Sequence, residues 1–191
     1  MCGIAGLISQ NPQAFINSML RSIEHRGRDD EGVWTSQPID AEERRVCLGH
    51  RRLSIIDTSS AGHQPMFSAD GGLVVILNGE IYNYRELREH LTAKGHRFRT
   101  QTDTEVLLAA WAEWGDECLS RLNGMFAFAL WDDKDHALYL VRDRVGIKPL
   151  YYADMSDKLQ FVEHSGRDAR APSAIVFASE IKSILDRKSV V

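Results

Sequence analysis

The sequence predicts an α+β domain built of packed layers, on two observations. Short apolar segments with strand character outnumber the helical ones and often follow each other directly. The helical segments gather in a few places and do not alternate with the strands, which argues against a doubly wound parallel sheet.

Taken in order, Cys2–Ser9 is apolar and glycine-punctuated and reads as a buried first strand. Pro12 opens a helical stretch with Phe15, Ile16, Met19, Leu20 and Ile23 on one face. The polar run His25–Gly32 reads as a loop, and Val33–Thr35 and Arg45–Gly49 as strands. Leu73–Leu77 is apolar throughout, the pattern of a strand covered on both faces, and is expected to end at Asn78-Gly79. A helix is expected from Tyr84, with Asn83 as N-cap and Glu86 close to a capping box. A second, with the better box Thr102-Asp-Thr-Glu105, carries Val106, Leu107, Ala110, Trp111 and Trp114. Gly124–Trp131 and Ala137–Val141 read as a hairpin across a charged turn. Further strands are expected near Leu150–Ala153, Leu159–Val162 and Ala174–Ala178, then a short helix over Glu180–Leu185. The polar stretch 163–173 interrupts this rhythm as a loop.

A chain of 191 residues, 43% apolar and 26% charged, fits one compact domain over 1–191. Its formal charge of −4 gives no general attraction to nucleic acid or anionic membrane. No apolar run approaches the roughly 20 residues of a membrane span, and Met-Cys-Gly is no secretory n-region. Three cysteines, at 2, 47 and 118, form neither a CxxC pair nor an even disulfide set, as suits a reducing cytoplasm. The seven histidines are scattered without an HExxH pair, so no metal site is expected.

Cys2 has an unusual position. Removal of Met1, which a small following side chain permits, would leave a thiol and a free α-amine on one residue. That amine titrates near 7.7–8.0 and can take the thiol proton, so nucleophile and base would coincide. The alternative is a small apolar residue in a first strand. Asn78-Gly79 is a common hairpin turn, yet Glu80–Tyr84 leads into a helix and not into a second strand. An amide and a glycine N–H at such a strand end can form an oxyanion hole. Arg52 can pair bidentately with a carboxylate or lie solvated on the surface. Asp103 suits the first turn of its helix in any case, and Glu80 suits an ordinary loop. One cation and two anions together complement a zwitterionic α-amino acid.

The segments Met1–Gly6, His25-Arg-Gly27, His50–Asp57, Gln64-Pro-Met66, Asn78–Asn83, Thr102–Glu105, Gly124–Trp131 and Arg142–Tyr152 resemble the class II glutamine amidotransferases. Within that class they are most similar to the N-terminal domain of glutamine-hydrolysing asparagine synthetases. The resemblance implies the four-layer α/β/β/α sandwich of N-terminal nucleophile hydrolases, with two antiparallel sheets. It implies Cys2 as nucleophile and its α-amine as base, with Asn78 and Gly79 as the oxyanion hole. It further implies that Arg52 holds the α-carboxylate of L-glutamine and that Glu80 and Asp103 receive its α-ammonium. The backbone of Leu53, Ser54, Ile55 and Ile56 would line the pocket.

The implied partner is an ATP-pyrophosphatase-type synthetase domain or subunit, with homodimerisation left open. No cofactor is expected here, since Mg-ATP would belong to the synthetase, whose Ser-Gly-Gly-x-Asp-Ser loop is absent from these 191 residues. Arg28 stands where the family has proline, and the 163–173 loop resembles an insertion. A module that keeps the fold and binds glutamine or a partner without catalysis is the alternative. With Met1 retained, the base is expected to be blocked.

Overall fold

The computed structural model describes residues 1–154 and 175–185. Its strands are β1 (Gly3–Ser9), β2 (Asp30–Thr35), β3 (Arg45–Arg52), β4 (Met66–Phe67), β5 (Leu73–Ile81), β6 (Gly124–Asp132), β7 (Ala137–Arg142), β8 (Tyr151–Asp154) and β9 (Ile175–Ala178). The helices are α1 (Gln13–Ser22), α2 (Tyr84–Ala93), α3 (Asp103–Trp114) and α4 (Ile181–Leu185). The described strands form two sheets, β2-β3-β1-β9-β8 and β4-β5-β6-β7, with every pairing antiparallel.

Three apolar contact layers make this the expected four-layer sandwich. Odd-numbered β1 residues Ala5 and Leu7 pack on Ile16, Met19 and Leu20 of α1 and Ile184 of α4. Even-numbered Ile4 and Ile8, with Val46 and Leu48 of β3, face the second sheet and pack with its Val74, Ile76, Ala129 and Trp131. On the far side, Val75, Leu77 and Ile81 of β5 pack on Leu107 and Trp111 of α3 and Leu91 of α2. The period-2 alternation thus feeds both faces of β5, which explains its unbroken apolar run. No helix among the described residues is long and apolar enough to cross a membrane.

Several boundaries differ from expectation, each for a long-range reason. β2 begins at Asp30, inside the expected polar loop, because it pairs with an extended β3 that runs on to Arg52. β5 continues through Asn78, Gly79 and Glu80, since β6 accompanies it as far as Gly124 opposite Ile81. Asn83 makes no side-chain cap on α2; it spans the 121–123 turn instead, donating to Arg121 O and accepting from Asn123 N–H. Thr102 does cap α3, accepting from Glu105 N–H at 3.1 Å. The Glu105 carboxylate does not close the box, because it accepts from the N–H groups of Arg99 and Thr100. The expected strand Leu159–Val162 and the 163–173 loop lie outside the described residues.

Candidate active site

Sheet parity gathers the site. The even-numbered positions that face the inter-sheet core in β1, β3 and β5 continue, at one end of the sandwich, as Cys2, Arg52, Asn78 and Glu80. There the apolar filling stops and a cavity of about 140 Å³ opens, lined by these four and by Leu53, Ile55, Ile56, Gly79 and Asp103. Nine of the ten sequence-predicted site residues therefore meet in one place. Ser54 is not in the lining; its N–H is turned away to the Asp29 carboxylate at 2.7 Å.

Cys2 Sγ accepts from Leu53 N–H at 3.4 Å and faces Leu53 O at 3.6 Å. Burial pushes the thiol pKa up. The Leu53 N–H, the Met1 ammonium and Arg52 oppose that rise, while Asp103 adds to it. The Cys2 nitrogen sits in the peptide bond to Met1 and has no basic lone pair, as expected for the unprocessed chain.

Asn78 is 1% exposed, and its Oδ1 and Nδ2 are buried without any hydrogen-bond partner. Unsatisfied buried amide atoms cost about 1–3 kcal/mol each, so their retention facing a cavity marks them as held ready for a ligand. Gly79 adds a backbone donor. In the β5–β6 ladder Asp133 N–H donates to Gly72 O and Tyr82 N–H to Asn123 O, so even-numbered β5 residues bond β6 and odd-numbered N–H groups point away. Of these, Leu77 N–H donates to Gln64 Oε1 at 2.6 Å and Ile81 N–H to Asp103 Oδ2 at 3.0 Å. Gly79 N–H lies between them and meets no acceptor among the described residues. Glycine is required by β6 rather than by the cavity, since a Cβ would stand 2.3 Å from Met125 O.

Arg52 is 7% exposed and is no solvated surface arginine. Its Nη1 donates to Ser59 O at 2.9 Å and its Nη2 to Asp57 O, which folds the 53–62 loop around it. Guanidinium donors remain for a carboxylate. Asp103 is buried, and burial raises its carboxyl pKa against the hydrogen bond from Ile81 N–H; nearby Glu80 raises it further. Two carboxylates crowded in this way gain from a cation between them.

Residues that sequence reasoning passed over hold the site in place. His50 is fully buried, and desolvation lowers its pKa to about 4. The imidazole is neutral, and Nε2 donates to Leu77 O at 3.1 Å. Gln64, after accepting from Leu77 N–H, donates to Thr104 Oγ1 at 3.3 Å. His50 and Gln64 thus grip both polar groups of the residue before Asn78. Both lie in segments that carried the family resemblance, but their partners are backbone atoms of a strand remote in sequence. Lys148 also lines the cavity unforeseen. Arg28 lies exposed, in a loop fixed by its neighbours: Asp29 N–H donates to Arg52 O at 3.0 Å.

Cys2 is anchored through its carbonyl, which accepts from Arg26 Nε at 2.9 Å, while Arg26 Nη1 donates to Glu180 at 3.0 Å. Burial alone would raise the Glu180 pKa. Hydrogen bonds from Arg26, Lys182 and His25 outweigh it and hold the carboxyl at about 2, against an ordinary 4.5. A depressed folded-state pKa contributes stability above the unfolded value and loses it as pH falls through the folded one. Glu180→Gln is therefore expected to cost about 2–3 kcal/mol at pH 7. In urea denaturation the gap from wild type should begin to close below pH 4.5 and continue closing toward pH 2.

A half-buried thiol beside two unused amide donors, with the Arg52 guanidinium and the Glu80 and Asp103 carboxylates lining the same cavity, is equipped for acyl transfer from an α-amino acid. The family model described as "Glutamine amidotransferase domain" matches residues 1–191. The chain belongs to that family. This amidotransferase domain is 45% identical over 168 residues to asparagine synthetase [glutamine-hydrolyzing] 1 of Bacillus subtilis (strain 168), covering 84% of this chain and 25% of that protein. It is 38% identical over 192 residues to asparagine synthetase [glutamine-hydrolyzing] 3 of the same organism, covering 97% and 27%. With asparagine synthetase [glutamine-hydrolyzing] 3 of Arabidopsis thaliana it shares 36% over 191 residues, covering 97% and 29%. The chain thus spans little more than a quarter of these relatives.

Among solved structures, the fold matches glutamine phosphoribosylpyrophosphate amidotransferase from B. subtilis, complexed with ADP and GMP, at a TM-score of 0.74 and 21% identity. That match covers 98% of this chain and 44% of the other. The structure of the allosteric regulatory enzyme of purine biosynthesis matches at 0.75 and 21%, covering 98% and 43%. At this identity the likeness shows the shared sandwich.

Proposed function

We propose that this domain hydrolyses the side-chain amide of L-glutamine through a γ-glutamyl thioester on Cys2. The observation that carries the proposal is the buried, unpartnered Asn78 amide sharing a cavity with the Cys2 thiol. Once Met1 is removed, the Cys2 α-amine takes the thiol proton and Sγ bonds to the amide carbon. The carbonyl oxygen becomes an oxyanion that accepts from Asn78 Nδ2 and Gly79 N–H. The C–N bond then breaks with the proton returned to nitrogen, releasing ammonia. Water attacks the thioester, restores the thiol and yields glutamate. Arg52 receives the α-carboxylate, while Glu80 and Asp103 receive the α-ammonium. The backbone over 53–56 closes the side, with Ser54 contributing through its turn on Asp29.

The ammonia passes to an ATP-dependent synthetase partner that amidates aspartate, and Mg-ATP belongs to that partner. The asparagine synthetase relatives and their greater length support this. So do the exposed apolar side chains of Ile55, Val145 and Ile147, on two loops that bound the cavity and suit a covering surface. The free thiols and the metabolic role support a cytoplasmic location.

The test pairs intact mass with glutamate release. Protein lacking Met1 is expected to form glutamate and ammonia in equal amounts from glutamine, and protein retaining Met1 to form neither. Processed, folded protein that releases no glutamate overturns the reading.

A further inference from the structure

The roles proposed above leave one buried charge in the cavity without a task. Lys148 lines the same cavity as Cys2 and is only 5% exposed. Its Nζ donates to Met1 Sδ at 3.3 Å, a weak acceptor, and forms no ion pair with a carboxylate among the described residues. An ammonium left this bare in a largely dry place is costly unless its field is used.

The backbone beneath it is built to hold that position. Lys148 N–H donates to Asp143 Oδ2 at 3.0 Å, and Lys148 O accepts from Arg142 Nε at 2.7 Å. Asp143 Oδ1 also accepts from Ile147 N–H at 2.9 Å and Val145 N–H at 3.2 Å, and its Oδ2 accepts from Phe126 N–H at 3.2 Å. Arg142 Nη2 donates to Gly146 O at 2.7 Å, where the glycine adopts φ of 68°. The loop after β7 is thereby fixed to the neighbouring strand β6, and Lys148 is presented from a rigid support.

Five covalent bonds separate Met1 Sδ from the Cys2 nitrogen, so Nζ lies within roughly 10 Å of the atom that Met1 removal turns into an amine. The other charges about Cys2 are Arg52 from β3, Asp57 from the following loop, Glu80 from β5 and Asp103 from α3. Arg26 reaches the Cys2 carbonyl from the turn before β2. Arg52 favours loss of the Cys2 thiol proton from the β3 side, and Asp103 opposes it. Lys148 adds a second positive charge from the side Met1 vacates.

We propose that the Lys148 ammonium sets the working pH of Cys2 in the processed domain. It acts through Cys2 and not on the substrate. A nearby positive charge disfavours a second one, so it lowers the pKa of the α-amine; it also favours a thiolate. Both effects make the proton transfer available at lower pH, so their signs agree. At about 10 Å and an effective dielectric near 20, the shift is about one pH unit. Burial limits its screening by salt. The inference rests on the glutaminase reading only for its turnover measurement.

The experiment compares processed wild type, Lys148→Met and Lys148→Arg in two pH profiles: kcat/KM for glutamate release, and the rate of Cys2 alkylation by iodoacetamide without glutamine. The acid limb of both profiles is expected to move up by about one unit in Lys148→Met and to return in Lys148→Arg. Lys148→Met activity should approach wild type above the limb. Unshifted limbs, or an equal loss at every pH, overturn the proposal. Wild type that alkylates but releases no glutamate would sink the glutaminase reading alone, and the alkylation profile would still decide the role of Lys148. Should Lys148→Met fail to fold, as judged by thermal melting, Lys148→Gln carries the same two profiles.

Discussion

Replacing Cys2 with alanine in the processed domain is expected to abolish glutamate release, with a loss on the order of 10⁴-fold or more. The thiol is proposed to be the atom that bonds to the substrate, and nothing else in the cavity replaces it. His50 is enclosed and neutral, with Nε2 committed to Leu77 O. Cys47 and Cys118 are buried, with thiol pKa values pushed up to about 11 and about 12. Cys2 is only partly buried and makes two long sulfur contacts, so the melting temperature should stay within a few degrees of wild type. A coupled glutamate assay and a melting curve on one preparation check both halves. Residual turnover above about 1% of wild type would place the nucleophile elsewhere.

Asn78→Leu is expected to lower kcat by about 10²–10³-fold with little change in KM. In the proposed mechanism the amide donates to the oxyanion, so its contribution grows between bound substrate and transition state. Stability should move the other way. Leucine is close to asparagine in shape and removes two buried polar atoms that have no partner, so folding should gain about 1–3 kcal/mol. Opposite signs in one variant separate a catalytic role from a structural one. A destabilised protein with kcat and KM altered together would count against an oxyanion role. Stopped assays over a glutamine series, together with urea unfolding, provide the measurements.

The strand pattern was legible because burial imposes period 2 on each strand, and the apolar faces of β1, β3 and β5 show it directly. The Thr102 cap was legible because its acceptor and donor are three residues apart. Asn83 misled for the complementary reason. Its spacing suited a cap, while a turn about 40 residues away offered its amide better partners. The strand containing Asn78 and Gly79 ran longer than its apolar stretch because pairing with β6 satisfies backbone groups whatever the side chains are.

By itself the sequence determined the layered α+β class, the unusual thiol beside Met1, and the family whose resemblance implies roles for Arg52, Asn78, Glu80 and Asp103. Those are matters of composition, local period and ordered motifs, all carried along the chain. The tertiary structure decided that Arg52 is buried under its own loop, that the Asn78 amide is left unpaired, and that Gly79 points its N–H away from β6. It also brought in His50, Gln64, Lys148 and the Arg26–Glu180 pair as supports. The reason is physical: each of these rests on contacts between strands and loops tens of residues apart, which fixes direction, burial and charge only once the two sheets have closed on each other.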